Sequence, residues 1–262
     1  MKSIIDFQKY KQNGIPISMV TCYDYWSASI INSTAIDAVL VGDSVAMVMH
    51  GYKDTIAADI RMMALHIAAV HKGLSDKILI ADFPFLAHRK GKKFALDAVE
   101  IFMKQGANAI KIEGSGSVTN LIRYIVDSGI PVMGHIGLTP QSINLLGGFQ
   151  LQGSSKESAE RILTDAKKLE DAGCFAIVLE KIPSNLAKRI TKSLSIPTIG
   201  IGAGKYTSGQ ILVLQDLLGL TMNFNPKYLR KYLNGIELIA KALNSYNADV
   251  KKRNFPSSKE SY

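Results

Sequence analysis

Six residues able to act as acid, base or ligand stand where apolar runs end: Asp24, Asp43, Asp82, Glu113, His135 and Glu180. Burying a carboxylate beside apolar residues is costly unless a partner or an ion receives it. Taken singly, each reads as a helix cap or loop residue, and Asp24 in "CYDYW" reads so most simply. Several carboxylates converging on one place are different, because their repulsion calls for a cation or raised pKa values. Oxygen donors without clustered Cys and His favour a hard ion, Mg2+ first. The five histidines do not show zinc spacing. His66 and His71 are too far apart for one helix face, and His50 and His88 fall in loops that read as exposed. His135 alone among the histidines stands at a strand end, where a structural imidazole and a substrate contact are both open.

The runs that carry these residues read as strands: "ISMVTCYD" (17–24), "AVLVGDS" (38–44), "ILIADFP" (78–84), "AIKIEG" (109–114), "PVMGHIG" (131–137), "AIVLEKI" (176–182), "PTIGIGAG" (197–204) and "ILVLQD" (211–216). Most are continuously apolar, as expected of parallel strands covered on both faces. Amphipathic stretches lie between them, such as 59–73 and 158–173, the latter stopped by Gly173. Eight strands with intervening helices in 262 residues predict an α/β chain folded as a (β/α)8 barrel. Residues 217–247 carry helical pattern, so extra C-terminal helices are expected. The whole of 1–262 is expected to form one barrel domain, with a flexible basic tail from about 249. A doubly wound sheet is the rival, but "GIGAGKYTSG" lies late in the chain and misses the G-x-G-x-x-G register. As a turn after the seventh strand it leaves a phosphate-binding reading open. Strand ends converge at the C-terminal face of a barrel, where active sites are built.

A hydrophobic content of 47% with 20% charged residues is that of an ordinary globular chain. The net charge of +9 is scattered, concentrated only in "HRKGKK" (88–93) and the tail. Neither stretch has the interleaved aromatics of a nucleic-acid platform, so no nucleic-acid partner is expected. No run of 18 apolar residues marks a membrane span, and "MKSIIDFQKYKQNG" is too polar for a signal peptide. Two distant cysteines, Cys22 and Cys174, suggest a reduced, cytoplasmic setting.

The blocks "LVGDSVAMVMHGYKDT", "ADFPF", "IKIEG", "GHIGLTPQS", "LEKIPSNLAKRI" and "PTIGIGAG" occur in the order and spacing of the ketopantoate hydroxymethyltransferase family. The resemblance covers the chain from about Phe7 to the tail, and six blocks in order are highly specific. It implies a (β/α)8 barrel that transfers a hydroxymethyl group from 5,10-methylenetetrahydrofolate to 3-methyl-2-oxobutanoate, giving 2-dehydropantoate for pantothenate synthesis through a Mg2+-stabilised enolate. It also implies a homodecamer. By motif, Asp43 and Asp82 resemble the metal ligands, and Glu113 resembles a third carboxylate acting through a water. Asp43, Ser44, Asp82, Lys111 and His135 match substrate-contacting positions, and Glu180 matches the proton acceptor. Such a base needs a pKa near the working pH, which desolvation by the apolar "FAIVL" strand would supply. Ser115, Ser208, Gln215 and Glu260 depart from residues common in the family. The phosphoenolpyruvate mutase and isocitrate lyase group has a similar metal–carboxylate barrel but is not expected to carry "GHIGLTPQS". Mg2+-dependent carbon–carbon lyase or mutase chemistry is therefore the second reading.

Overall fold

A computed structural model describes residues 3–262. Two compact units result, Met1–Leu212 and Val213–Tyr262. The first contains eight strands: β1 (Ile17–Thr21), β2 (Ala38–Val41), β3 (Ile78–Asp82), β4 (Ala109–Glu113), β5 (Val132–Gly137), β6 (Ala176–Glu180), β7 (Thr198–Ile201) and β8 (Gly209–Leu212). They close into one parallel barrel in chain order, with β1 pairing to both β2 and β8.

The continuous apolar runs conceal an alternation. Side chains of a strand point alternately to its two faces, so every second residue shares the barrel interior. One interior cluster gathers Ile17 and Met19 of β1, Ala38 and Leu40 of β2, and Ile78 and Ile80 of β3. Ala109, Met133, Ala176, Val178, Ile199 and Ile211 complete it from the other five strands. Two residues further along the same faces come Asp82, Lys111 then Glu113, His135 and Glu180. The barrel lining thus changes from hydrocarbon at strand starts to charge at strand ends.

The apolar end is covered by the helix Ile4–Gln12, begun by a capping box between Ser3 and Asp6. Its Phe7 is fully buried in the interior cluster and meets Phe175 edge-on at 5.1 Å. Lys11 Nζ donates to the carbonyls of Thr191, Leu194 and Ile196 at 3.0, 2.7 and 2.7 Å, tying this helix to the chain just before β7. The amphipathic stretches form the helices Ile60–Gly73, capped by Asp59, and Lys156–Asp171, capped by Ser155.

Two local expectations change. The eighth strand begins at Gly209 and ends at Leu212, and Leu214–Leu217 is a helical turn instead of strand. Helical pattern over 217–247 becomes helix only from Gly235 to Lys252. Between them Gly219 has φ +66° and Pro226 lacks an N–H, both unfavourable to helix. In this second unit the helix runs past residue 249, and Tyr246 packs edge-on against Phe255. Among the described residues no helix is long and apolar enough to cross a membrane.

Candidate active site

Strand register brings the predicted residues together. Asp82 is directly opposite Lys111 on the neighbouring strand, Glu113 is opposite His135, and Glu180 is opposite Gly137. Lys111 Nζ lies 2.6 Å from Asp82 Oδ1 and 3.9 Å from Glu113 Oε1. It also lies 3.1 Å from His135 Nδ1. The imidazole bridges two carboxylates, with Nδ1 3.2 Å from Glu113 Oε1 and Nε2 3.2 Å from Glu180 Oε2. These are ion-pair separations, because Asp82 Oδ1, Glu113 Oε1 and His135 Nε2 lack a well-directed hydrogen bond.

Asp43 follows β2 across Gly42, and its backbone N–H donates to Asp82 Oδ2 at 3.1 Å. A side chain at Gly42 would put its Cβ 2.8 Å from Ser44 Oγ and 3.5 Å from Asp82 Oδ2, so glycine leaves the room the two polar groups occupy. Ser44 shares a 2.7 Å hydrogen bond with the Tyr23 hydroxyl. At Gly137, where φ is +95°, a Cβ would strike the Glu180 carbonyl, so only glycine lets β5 and β6 approach there.

Asp43, Asp82, Lys111, Glu113 and His135 are all at most 5% exposed. Burial, then repulsion from Asp82 and Glu113, pushes the Asp43 pKa well above the usual carboxylate range. Burial also raises that of Asp82, opposed by Lys111 and assisted by Glu113. Burial acts the same way on Glu113, but His135, Lys111 and the Gln141 N–H outweigh it and hold this carboxyl below its ordinary value. For His135, burial and Lys111 disfavour the charged ring, yet Glu113 and Glu180 lift its pKa to about 9. Lys111 is likewise raised by Asp82, Glu113 and Asp43 against its own burial. The surrounding carboxylates thus favour the charged forms of Lys111 and His135 over the neutral ones.

Glu180 differs from the expectation of an apolar enclosure. Its side chain keeps 18% exposure and faces His135, so desolvation by the strand is incomplete at the carboxylate. The residue after it, Lys181, holds φ +47°, an uncommon conformation outside glycine. Asp24 is a helix cap, accepting the Ser27 N–H at 2.9 Å. His50 is exposed but paired, its Nε2 2.9 Å from that of His66, whose Nδ1 is 2.6 Å from the Tyr23 carbonyl oxygen. His88 is only half exposed and encloses its Nδ1; burial, then Arg89, lowers its pKa to about 4. Ser208 exchanges hydrogen bonds with Thr198 between β7 and β8.

Sequence reading passed over two buried participants. Tyr23 sits directly before Asp24, and its signal was a hydroxyl at the end of an apolar run. Gln141 lies in the quoted block "GHIGLTPQS", three residues beyond Leu138, with no local pattern to show that it folds back onto Asp43 and Glu113.

Whether this mouth fits a divalent ion depends on its donors. Among the described residues no three His, Cys, Asp or Glu side chains are spaced as a ready-made metal centre. Mg2+ does not require one, since it is commonly held by one or two carboxylates and keeps several waters. Asp43 and Asp82 are two adjacent buried carboxyls that Lys111 does not fully compensate. The hard, all-oxygen pair fits that ion.

The sequence pattern of the ketopantoate hydroxymethyltransferase family matches residues 1–258. The 3-methyl-2-oxobutanoate hydroxymethyltransferase of Coxiella burnetii (strain CbuK_Q154) is 54% identical over 252 residues, 96% of this chain and 95% of that protein. The protein of the same name from Bdellovibrio bacteriovorus (strain ATCC 15356 / DSM 50701 / NCIMB 9529 / HD100) is 52% identical over the full length of both. Among solved structures, a phosphonopyruvate hydrolase complexed with oxalate and Mg++ is 12% identical with a TM-score of 0.63, covering 99% of this chain and 93% of that one. A 2,3-dimethylmalate lyase of the PEP mutase/isocitrate lyase superfamily is 15% identical with a TM-score of 0.60, covering 100% and 92%. At these identities the likeness is one of fold. The chain belongs to the ketopantoate hydroxymethyltransferase family and is an enzyme, a hydroxymethyltransferase of the pantothenate pathway.

Proposed function

We propose that the barrel mouth transfers a hydroxymethyl group from 5,10-methylenetetrahydrofolate to 3-methyl-2-oxobutanoate, giving 2-dehydropantoate, with Mg2+ held by Asp43 and Asp82 and by Glu113 through water. The observation that carries this reading is the charge balance of the site. Asp43, Asp82, Glu113 and Glu180 place four carboxyl groups against two basic side chains, Lys111 and His135. Fully ionised, that leaves a formal charge of −2, which one divalent ion neutralises.

A bound Mg2+ supplies Lewis-acid polarisation of the oxo acid, whose C3 proton is otherwise too weakly acidic to lose at neutral pH. The remaining work belongs to the chain. Lys111, fixed by Asp82, brings positive charge to the oxygen that becomes negative as the enolate forms. Ser44, oriented by Tyr23, binds the substrate. Glu180 takes the C3 proton, the enolate carbon bonds to the one-carbon unit as both of its C–N bonds to folate break, and water supplies the hydroxyl oxygen, leaving 2-dehydropantoate and tetrahydrofolate. His135 holds the Glu180 carboxylate from Nε2 while its other nitrogen is anchored on Glu113, so base and ligand side are joined by one rigid ring.

Two measurements test this. Product analysis of 3-methyl-2-oxobutanoate with and without methylenetetrahydrofolate should give 2-dehydropantoate only with the folate; carbon–carbon cleavage without it would favour the lyase reading. NMR in deuterated water follows C3 hydrogen exchange independently of folate. Glu180→Gln should slow this exchange by on the order of a hundredfold or more, as for loss of a general base. A variant that exchanges like wild type yet makes no product removes Glu180 from the base role.

Family membership also leads us to propose a homodecamer, and sedimentation as a monomer at micromolar concentration overturns it. The proposed setting is the cytoplasm, where the free buried thiols of Cys22 and Cys174 stay reduced.

A further inference from the structure

Gln141 follows β5 in a short 3-10 turn, Pro140–Ser142, and is 6% exposed. Its Nε2 donates at 2.8 Å to Asp43 Oδ2 and at 2.8 Å to the Phe83 carbonyl. Its backbone N–H donates to Glu113 Oε2 at 3.1 Å. One residue therefore ties together the segments that follow β2 and β3 and the last residue of β4. The Phe83 carbonyl can only accept, so the amide has only one consistent orientation. That orientation leaves Oε1 buried with no hydrogen-bond partner. Buried polar atoms are normally satisfied, and leaving one unmade costs about 1–3 kcal/mol.

We propose that Gln141 is a positioning residue that aims Asp43 and Glu113 for the cation and presents its free Oε1 to water carried by that cation. The inference rests on the Mg2+ reading above. The side-chain amide restrains Asp43, and the backbone N–H restrains Glu113. A substitution therefore separates the two, because any residue other than proline keeps the second bond. Outer partners of ligating groups typically alter metal affinity 10–100-fold when removed.

The test uses Mn2+ as the probe, with the full-length, metal-stripped protein and no substrate. Bound and free Mn2+ are separated by electron paramagnetic resonance, and Mg2+ affinity follows from competition. Gln141→Leu should bind Mn2+ about 10–100-fold more weakly while the thermal midpoint of the stripped protein stays within a few degrees of wild type. Gln141→Met, closer in length, should show the same loss and serves if the leucine variant folds poorly. A purely packing role predicts the reverse: a lowered midpoint with unchanged affinity in the folded fraction, which overturns the proposal. Unchanged affinity and midpoint overturn it as well. Wild-type protein that binds no Mn2+ or Mg2+ overturns both this inference and the cation reading, whereas tight wild-type binding matched by both variants removes Gln141 alone.

Discussion

The two ends of the barrel are made by the same strands yet obey different economies. At the strand starts, Phe7, Ile17, Ile78, Ala109 and Ala176 meet in hydrocarbon. Two to four residues further on, Asp82, Lys111, Glu113, His135 and Glu180 meet in charge. At the first end each contact adds to stability through removal of apolar surface from water. At the second, buried carboxylates are held close against their own repulsion, opposed by Lys111 and His135, an arrangement that the proposed cation would relieve. Stability and reactivity are thus separated along the barrel axis, and substitutions at the two ends should fail in opposite ways.

The strongest test replaces Asp43. Asp43→Asn keeps an acceptor for Gln141 but loses a charge, and should reduce Mg2+-dependent turnover by on the order of a thousandfold or more, about 4 kcal/mol of barrier. The folded pKa of Asp43 is raised above its unfolded value, so its ionisation destabilises the metal-free protein once pH exceeds the ordinary carboxylate range. The same variant, stripped of metal at pH 8, should therefore melt about 2–4 °C higher than wild type. Wild-type turnover, or a lower metal-free midpoint, breaks the contrast between the two ends.

At the apolar end the signs invert. Phe7→Ala empties a fully buried aromatic site and should cost about 3–4 kcal/mol in denaturant unfolding. At a temperature where the variant is folded, kcat and KM should match wild type. A large fall in kcat would show that the ends are mechanically linked rather than separable.

A smaller effect sharpens the charged end alone. The His135 pKa is raised to about 9, so its contribution is fully present below the unfolded value near 6.5 and is lost as pH rises through 9. Metal-free wild type should lose at most about 3 kcal/mol from this source between pH 6.5 and 10. His135→Gln should show a shallower decline over that window in parallel melts. Equal slopes would mean that the ring is not held as an imidazolium between Glu113 and Glu180.

Much of this was legible in the chain. Ile78, Ile80 and Asp82 stand two apart, as do Ala109, Lys111 and Glu113, so a single strand already states that hydrocarbon and charge share one face. The strand ends were likewise readable, because continuous apolar runs stop at them. The eighth strand was misplaced by two to four residues, since "ILVLQD" is apolar enough for strand and its final part turns helical after Val213. His88 was misread because a local basic segment says nothing about what later packs over an imidazole. Gln141 was invisible as a partner, having no charge and no periodic neighbour.

By itself the sequence determined which side chains share a face of each strand, since strand periodicity is a property of covalent geometry and needs no partner; which face turns inward is hidden in continuously apolar runs. It also determined that the carboxylates come late in each strand. Only the tertiary structure decided who meets whom. Register between strands set Asp82 beside Lys111 and Glu113 beside His135, and a slip of one residue would have turned those charges to the opposite face. Gln141 reaches Asp43 across 98 positions of chain because closure of the barrel brings the segment after β5 over the end of β2. No local preference encodes such a contact; it exists because eight strands share one ring.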